Sequence, residues 1–296
     1  MLCVTNGDYV VDGLRRGGIS GEIFSWKDVL HEGPVPFHLS FDELRGVRAR
    51  FISEQGWGSF DGVMGDFERR DATLAGFGDH EEVVLFFEHD LYDQLQLIQL
   101  LDWFASWESI PVRLSLVQSN EYLGNLSPGK LKALFEDRQD VSNQQLDLGR
   151  AAWGAFRAPD PIRIPAVLQQ DTSALPFLGD VLRQLQQFPS VKNGLSRSES
   201  QALEEIRSER RPLREVFVAS HQEREDVIFL GDSVFAWYLE RLSDTPEPLV
   251  LFEDGTRIKA PRTPDGETEF WGAVPSSPKM DVRFWRGRWI SSRSTE

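Results

Sequence analysis

An apolar run that ends abruptly in polar residues constrains the fold of this chain more than any other feature. The run Val-Val-Leu-Phe-Phe at 83–87 is followed at once by Glu88, His89 and Asp90, and apolar residues at helical spacing begin at Leu91. A fully apolar strand that leads directly into a helix is typical of a parallel β-sheet covered by helices. We therefore expect the three polar residues at the carboxyl end of a strand, the edge where open α/β sheets bind their ligands.

The first half of the chain repeats this alternation of strand-like and helix-like patterns. Strands are expected at 2–5, 22–26, 83–89 and 112–117, and helices at 9–16, 41–54, 90–107, 128–135 and 142–156. Residues 56–80 are rich in Gly and Asp and show no clear period. The pattern predicts an α/β protein whose residues 1–165 form a parallel-sheet, Rossmann-like domain.

Pro159, Pro161 and Pro165 mark a boundary, after which we expect a smaller α+β module over residues 177–296. Helices are predicted at 177–188, 196–207, 213–223 and 234–242, strands at 226–230 and 249–252, a turn at 253–255, and short strands near Trp271, Phe284, Trp285 and Trp289. Three helices followed by strands are similar to a winged helix, which would suggest DNA binding. Residues 192–224 contain seven basic and six acidic side chains, however, so a protein-interaction or structural module is favoured over DNA binding.

The charge balance argues against nucleic-acid binding along the whole chain. The formal net charge is −15, with 26 acidic and 15 basic residues in 1–165 and 21 and 17 in the remainder. Phosphate binding depends on clustered Lys and Arg, which this distribution lacks. No apolar segment approaches the roughly 20 residues of a membrane span, and the lone Cys3 permits no internal disulfide, so we expect a cytoplasmic protein without membrane contact.

Polar residues that follow several predicted strands should converge on one crevice, because the carboxyl ends of parallel strands share an edge. We assign catalytic roles to the imidazole and carboxylate groups among them, namely His31, Glu32, Glu88 and His89. We assign substrate binding to the remaining polar groups at these strand ends and in the helix that follows Asp90, namely Asn6, Asp8, Asp28, Asp90, Tyr92, Asp93, Ser119 and Asn120.

Each assignment has a structural alternative. His31 could bond a backbone carbonyl or end a helix, His89 could be a satisfied histidine between strand and helix, and Asp90 stands where a helix N-cap is expected. Asp93 and Gln96 lie one helical turn apart, and solvation of the helix surface explains them most simply. These alternatives compete with the catalytic and binding roles at each position.

Two chemistries remain open for the crevice. A mononuclear metal would use two or three of His31, Glu32, Glu88, His89 and Asp90, with Asp8 as a further ligand. Consecutive strand residues point to opposite faces, so Glu88, His89 and Asp90 cannot all reach one ion. A metal-free site needs only a histidine base and a neighbouring carboxylate, and the residues specify neither a metal nor a cofactor.

No phosphate-binding glycine loop or serine-nucleophile elbow of known pattern is present in the sequence. Three separated stretches, 4–8 (VTNGD), 26–36 (WKDVLHEGPVP) and 87–95 (FEHDLYDQL), together resemble a bacterial family that carries domain of unknown function 1835. The resemblance covers about residues 1–165. It marks the same residues as the physical argument and implies no activity or cofactor.

These observations lead to two functional hypotheses. The first is a hydrolase or transferase acting on a small polar or phosphorylated substrate at the carboxyl edge of the sheet. The second is a non-catalytic, ligand-sensing regulator whose C-terminal module binds DNA or a protein partner. A basic face on the C-terminal helices would favour the second hypothesis.

Overall fold

The protein is described from a computed structural model that covers residues 1–159, 162–185, 194–207, 209–246, 248–253, 257–259, 282–285 and 288–291. The chain divides into two compact units, Met1–Gln184 and Leu185–Glu296. Residues 177–184, which the sequence pattern places in the C-terminal module, therefore belong to the first unit. Among the residues described, no helix has both the length and the apolar character needed to cross a membrane.

A five-stranded sheet forms the centre of the first unit, with strand order β2-β1-β3-β4-β5. The strands are β1 (Leu2–Thr5), β2 (Glu22–Ser25), β3 (Glu82–Glu88), β4 (Arg113–Ser119) and the short β5 (Gln139–Asp140). The first four run parallel, and β5 pairs antiparallel with β4. The predicted α/β class with a mostly parallel sheet is confirmed.

Helices connect and cover the strands. They are α1 (Asp8–Arg16), α2 (Phe41–Glu54), α3 (Phe60–Ala75), α4 (Leu91–Ala105), α5 (Pro128–Glu136), α6 (Asn143–Arg157), α7 (Arg163–Leu168) and α8 (Leu178–Gln184). Ser40 and Ser142 start their helices with capping boxes, which satisfy backbone N–H groups that have no partner within the helix. Helix α3 lies in the stretch 56–80, where the sequence shows no clear period. The period is obscured because the buried face of α3 combines apolar residues with the charged Arg70 and Asp71.

Helix α4 is buried around most of its circumference, between β3 on one side and α6 on another. Its polar residues Asp93 and Gln96 are fully buried, so the prediction that they lie on a solvated helix surface is wrong. The reason is tertiary: the sheet and α6 cover both faces of the helix, whereas a periodicity argument assumes one open face. Gln99 is also buried, and its Oε1 accepts a hydrogen bond from Trp26 Nε1 at 3.0 Å.

The strand order creates a topological switch point between β1 and β3. Strand β2 lies on one side of β1, and the chain returns through α2 and α3 to place β3 on the other side, with Thr5 opposite Phe86. Connections therefore leave β1 and β3 in opposite directions at their carboxyl ends. In doubly wound sheets such a point opens the crevice in which ligands bind.

The second unit contains α9 (Arg197–Ile206), β6 (Arg211–Pro212), α10 (Leu213–Phe217), a π-helical turn (Val218–Gln222), α11 (Asp232–Ser243), β7 (Leu251–Glu253), β8 (Arg257–Lys259), β9 (Val282–Trp285) and β10 (Arg288–Ser291). Strands β6, β8 and β7 form an antiparallel sheet in that order, and β9 pairs with β10. This agrees with the predicted α+β composition. Residues 186–188, 254–255 and Trp271, parts of the predicted helix, turn and C-terminal strands, lie outside the described residues.

The strand predicted at 226–230 is wrong. His221 is completely buried, and its Nε2 accepts hydrogen bonds from the N–H groups of Phe229 and Leu230 at 3.4 and 3.1 Å. Burial lowers the pKa of this imidazole to about 4, with a smaller contribution from the charge of Arg197, so the ring is neutral and able to accept. These backbone donors thus bond a side chain rather than a neighbouring strand.

Candidate functional site

Three carboxylates converge at the switch point. Glu88 is the last residue of β3, Asp90 is the N-cap of α4, and Asp93 lies in the first turn of that helix. One oxygen from each carboxylate can be chosen so that all three lie within 4.8 Å of one another. We call these three residues the acidic cluster.

Hydrogen bonds hold the acidic cluster in place. Asp93 accepts from Asn6 Nδ2 and from the backbone N–H of Glu88, each at 2.7 Å, and the first of these bonds joins the end of β1 to the helix that follows β3. Asp90 Oδ1 accepts from the Asp93 N–H at 2.8 Å. Glu88 Oε2 accepts from the N–H of Leu123, in the loop after β4. Three strand ends therefore contribute to one polar site.

Burial raises the pKa of every carboxyl in the acidic cluster, and repulsion by neighbouring carboxylates adds to the shift of Glu88 and Asp93. Desolvation and the nearby charge of Asp90 raise the pKa of Glu88 to about 8, and desolvation raises the pKa of Asp90 to about 7. Desolvation and the charges of Asp90 and Glu88 raise the pKa of Asp93 well above its usual range. Near neutral pH the cluster is therefore poised between proton uptake and proton release.

His89 lies beside the acidic cluster and faces the β4 side. Its ring contacts Tyr122 and Phe177, with centroids 4.8 and 5.9 Å apart, and it hydrogen-bonds the backbone of Ser119. Burial lowers the pKa of His89, so the neutral imidazole is favoured. Its buried Nδ1 has no hydrogen-bond partner among the described residues and remains a potential acceptor.

Three further buried oxygen atoms near the switch point have no hydrogen-bond partner within the described residues: Thr5 Oγ1, Asn6 Oδ1 and Gln94 Oε1. The amide of Gln94 is fixed next to the acidic cluster, because its Nε2 donates to the Glu88 carbonyl oxygen at 2.6 Å. Buried polar atoms in folded proteins are nearly always paired, so these oxygens need a specific explanation.

The loop that carries His31 and Glu32 is organised by a buried ion pair. Arg48 contacts both Asp28 oxygens at 2.8–3.1 Å and donates to the carbonyls of Val29, Glu32 and Pro34 at 2.6–3.2 Å. Gly33 has a φ of +70°, and a Cβ there would lie 2.6 Å from the Phe51 ring. Both carboxylate oxygens of Asp28 therefore accept hydrogen bonds from Arg48.

The side chains of His31 and Glu32 are half-buried on this loop, and the His31 ring meets Tyr92 edge-on with centroids 6.3 Å apart. Tyr92, Lys27 and Asp28 contribute to the wall of a small cleft of about 170 Å³ at the β2 side of the edge. His31 and His89 therefore contact different neighbours, Tyr92 on one side of the acidic cluster and Tyr122 on the other.

The remaining predicted site residues have local roles. Asp8, at the start of α1, is largely exposed and accepts from Lys27 Nζ and Ser25 Oγ at 2.7 and 2.6 Å, which holds its pKa below the usual range. Ser119 is buried, and its hydroxyl bonds the backbone of Glu121, whereas Asn120 is exposed. None of these hydrogen bonds links Asp8 or Ser119 to the acidic cluster.

A larger cleft of about 490 Å³ lies next to the loop that binds Glu88. Tyr122, Asn125 and Lys130 line it together with Glu121, Leu126 and Ser127. Tyr122 borders this cleft and also touches His89, so the cleft adjoins the β4 side of the site. Lys130 is a cationic group on its wall and pairs with Glu121 at 3.1 Å.

Sequence reasoning did not assign a site role to Thr5, Gln94, Leu123 or Arg48. Gln94 carries a weak signal in retrospect, because it follows Asp93 directly in the first turn of the helix that leaves the strand end. Leu123 acts through its backbone, and the Arg48–Asp28 pair joins residues 20 positions apart. Neither leaves a pattern in the sequence.

No protein-family model matches this chain, and no curated protein matches it.

Proposed function

We propose that the first unit binds a small polar or phosphorylated substrate in the crevice between β1 and β3 and hydrolyses it or transfers a group from it. The observation that carries this proposal is the convergence of Asn6, Glu88, Asp90 and Asp93 at the topological switch point. Ligand sites of doubly wound sheets lie at this position.

The acid–base properties of the site support catalysis over simple binding. A general acid or base works best when its pKa is near the working pH, and the pKa values of Glu88 and Asp90, about 8 and about 7, meet that condition. In the proposal this carboxyl pair exchanges a proton with the substrate or with an attacking water. The position of the pair, at the end of β3 and the start of α4, supports the same assignment, because strongly perturbed pKa values cluster at functional sites.

The cleft beside Tyr122 fits a polar substrate. Its volume of about 490 Å³ lies within the range of small-molecule sites, and Lys130 offers a cation for an anionic group. His89, whose Nδ1 can accept a proton or a hydrogen bond, follows Glu88 in the chain and contacts Tyr122 on the wall of this cleft. In this arrangement a substrate seated in the cleft would extend toward Glu88.

The test is a hydrolysis screen of the full chain with aryl phosphate, phosphodiester and carboxyl ester substrates and with nucleotides, in buffer containing MgCl₂ and MnCl₂. Turnover by the wild type should fall by about 10²- to 10⁴-fold in Glu88→Gln, the usual contribution of a general acid or base. Asp12→Asn is the matched control, because it makes the same carboxyl-to-amide change at an exposed position of α1. Equal turnover in wild type and Glu88→Gln would refute the assignment.

We also propose that the chain is a member of the family with domain of unknown function 1835. The three stretches 4–8, 26–36 and 87–95 support this proposal, because each of them lies at or follows the carboxyl end of a strand in the same sheet. Asn6 and Asp93 are bonded to each other, and the middle stretch forms the Arg48-bound loop.

The second unit offers a different candidate function. Its order of elements, a helix, a short strand, further helical segments and two strands with sheet order β6-β8-β7, is similar to that of a winged helix and supports this candidate. Helix α11, which would be the recognition helix, carries Asp232, Glu240 and Arg241 as its only charged residues, and the Arg241 guanidinium stacks on Trp237. This charge pattern favours a protein partner over DNA.

Fluorescence anisotropy tests this choice. The full chain, titrated into a labelled mixed-sequence duplex at low salt, should show no saturable binding up to about 10⁻⁴ M, the weak end of non-specific DNA binding. Saturable binding near about 10⁻⁶ M that weakens steeply with added salt would contradict the protein-interaction assignment.

A further inference from the structure

We propose that Glu88, Asp90 and Asp93 bind one hard divalent cation, with the side-chain oxygens of Asn6 and Gln94 as additional or water-mediated ligands. The inference deepens the proposed function and rests on the same crevice. It identifies the group that would orient a substrate there.

The charge of the acidic cluster is the first argument. Three carboxylates within 4.8 Å repel one another strongly in a buried site, and the hydrogen bonds described above for them come from backbone N–H groups and the Asn6 amide, all of them neutral. A divalent cation would neutralise most of the charge of the ionised cluster. Carboxylate oxygens are the ligands that Mg²⁺, Mn²⁺ and Ca²⁺ prefer.

The unpaired amide oxygens are an independent argument. Gln94 is completely buried, its Nε2 is tied to the Glu88 carbonyl oxygen, and its Oε1 accepts no hydrogen bond from any described residue. Likewise, Asn6 Nδ2 donates a hydrogen bond to Asp93, and Asn6 Oδ1 has no hydrogen-bond partner within the described part of the chain. Both unpaired atoms can only accept, so they call for a cation or a donor and not for an anion.

The dimensions of the site agree with such an ion. Ligand atoms on opposite sides of a cation are separated by twice the metal–oxygen distance, which is about 4.2 Å for Mg²⁺ and about 5 Å for Ca²⁺. The three carboxylate oxygens lie within 4.8 Å of one another, which is close enough for one such ion to contact all three. The three converging ligand groups are all carboxylates, and His89 is not among them, so the ligand set contains oxygen alone and disfavours zinc and other softer metals.

A cation here would act on the proposed substrate in a defined way. Bound at the switch point, it can polarise a phosphoryl or carbonyl oxygen and lower the pKa of a coordinated water. Glu88 and Asp90 would then hold the ion, and the proton exchange that the metal-free site assigns to this pair would pass to His89, whose Nδ1 can accept. The experiment therefore has to separate cation binding from turnover.

The test is a titration of metal-stripped full-length protein with Mn²⁺, followed by electron paramagnetic resonance of the free ion. We expect one Mn²⁺ per chain, displaced by excess Mg²⁺ or Ca²⁺. Asp90→Asn keeps the N-cap, because Asn and Asp cap equally well, and Glu88→Gln keeps an acceptor for the Leu123 N–H. Each should weaken Mn²⁺ binding by at least the roughly 10- to 100-fold typical for loss of a supporting partner.

Asp12→Asn is again the control and should bind Mn²⁺ like the wild type. Unchanged Mn²⁺ binding in both cluster variants, with circular dichroism showing that they are folded, would overturn the cation assignment, as would the absence of binding by the wild type. Turnover that persists in EDTA would overturn it while leaving the proposed function intact. Mn²⁺ binding without turnover of any substrate would support the cation and count against the proposed function.

Discussion

The pKa of Glu88 makes a specific prediction about stability. The carboxyl has a pKa of about 8 in the folded protein, against 4.5 for an unperturbed glutamate. Between these two pH values the folded state holds a proton that the unfolded state releases. The stability contributed by this group is therefore fully present below about pH 4.5 and is lost as the pH rises toward 8.

Glu88→Gln removes this dependence. The amide cannot ionise, but its oxygen can still accept the Leu123 N–H that Glu88 accepts. Raising a pKa by one corresponds to about 1.4 kcal/mol, so a change from 4.5 to about 8 amounts to on the order of 5 kcal/mol, shared with Asp90 and Asp93 through their mutual repulsion. In EDTA we expect the variant to be more stable than the wild type at pH 8 by several kcal/mol.

The assay is urea unfolding of both proteins in EDTA at pH 5, 6.5 and 8, followed by circular dichroism and tryptophan fluorescence. The difference in unfolding free energy between variant and wild type should grow with pH, because only the wild type has a carboxyl at position 88 that the unfolded state ionises more readily than the folded state. Asp12→Asn supplies the control and should differ from the wild type by a constant amount. A Glu88→Gln difference that stays the same from pH 5 to pH 8 would refute the argument that burial raises the pKa of this carboxyl.

Substitutions at three further sites, the Arg48–Asp28 pair, Gly33 and His221, test contacts that stabilise the fold. Arg48→Met should destabilise the first unit by about 3–5 kcal/mol in urea unfolding, because it leaves Asp28 buried without its partner, whereas Arg48→Met combined with Asp28→Leu should recover much of the loss. Gly33→Ala should lower stability by about 1–3 kcal/mol and lower the melting temperature, since alanine is strained at a φ of +70° and its Cβ would meet the Phe51 ring. His221→Phe should cost about 1–3 kcal/mol and speed hydrogen exchange at Phe229 and Leu230, because their N–H groups lose the acceptor. Wild-type stability in the Arg48 single variant, an unchanged melting temperature for Gly33→Ala, or unchanged exchange at those two amides would contradict the respective assignment.

Local periodicity predicted much of the first unit from the sequence. The predicted strand at 2–5 and helix at 41–54 agree with β1 and α2, and the helix expected after Asp90 is α4 with Asp90 as its cap. These features depend on neighbours a few residues apart, through alternation of side chains, helical spacing and capping. The strand expected at 226–230 is wrong because two of its N–H groups bond the ring of His221, a contact that the alternation of side chains does not reveal.

Local sequence patterns predicted only part of the candidate site. The sequence by itself located the carboxyl edge of the sheet and pointed to Glu88, His89 and Asp90, because an apolar strand that ends in polar residues is a local pattern. Only the tertiary structure decided that Asp93 lies next to Glu88 and Asp90, and that Asn6, at the end of β1, donates a hydrogen bond to it. It also decided that Asp28 forms a buried ion pair with Arg48. Periodicity reports which face of an element is apolar, whereas the burial and pairing of a polar group depend on elements far away in the chain that pack against it.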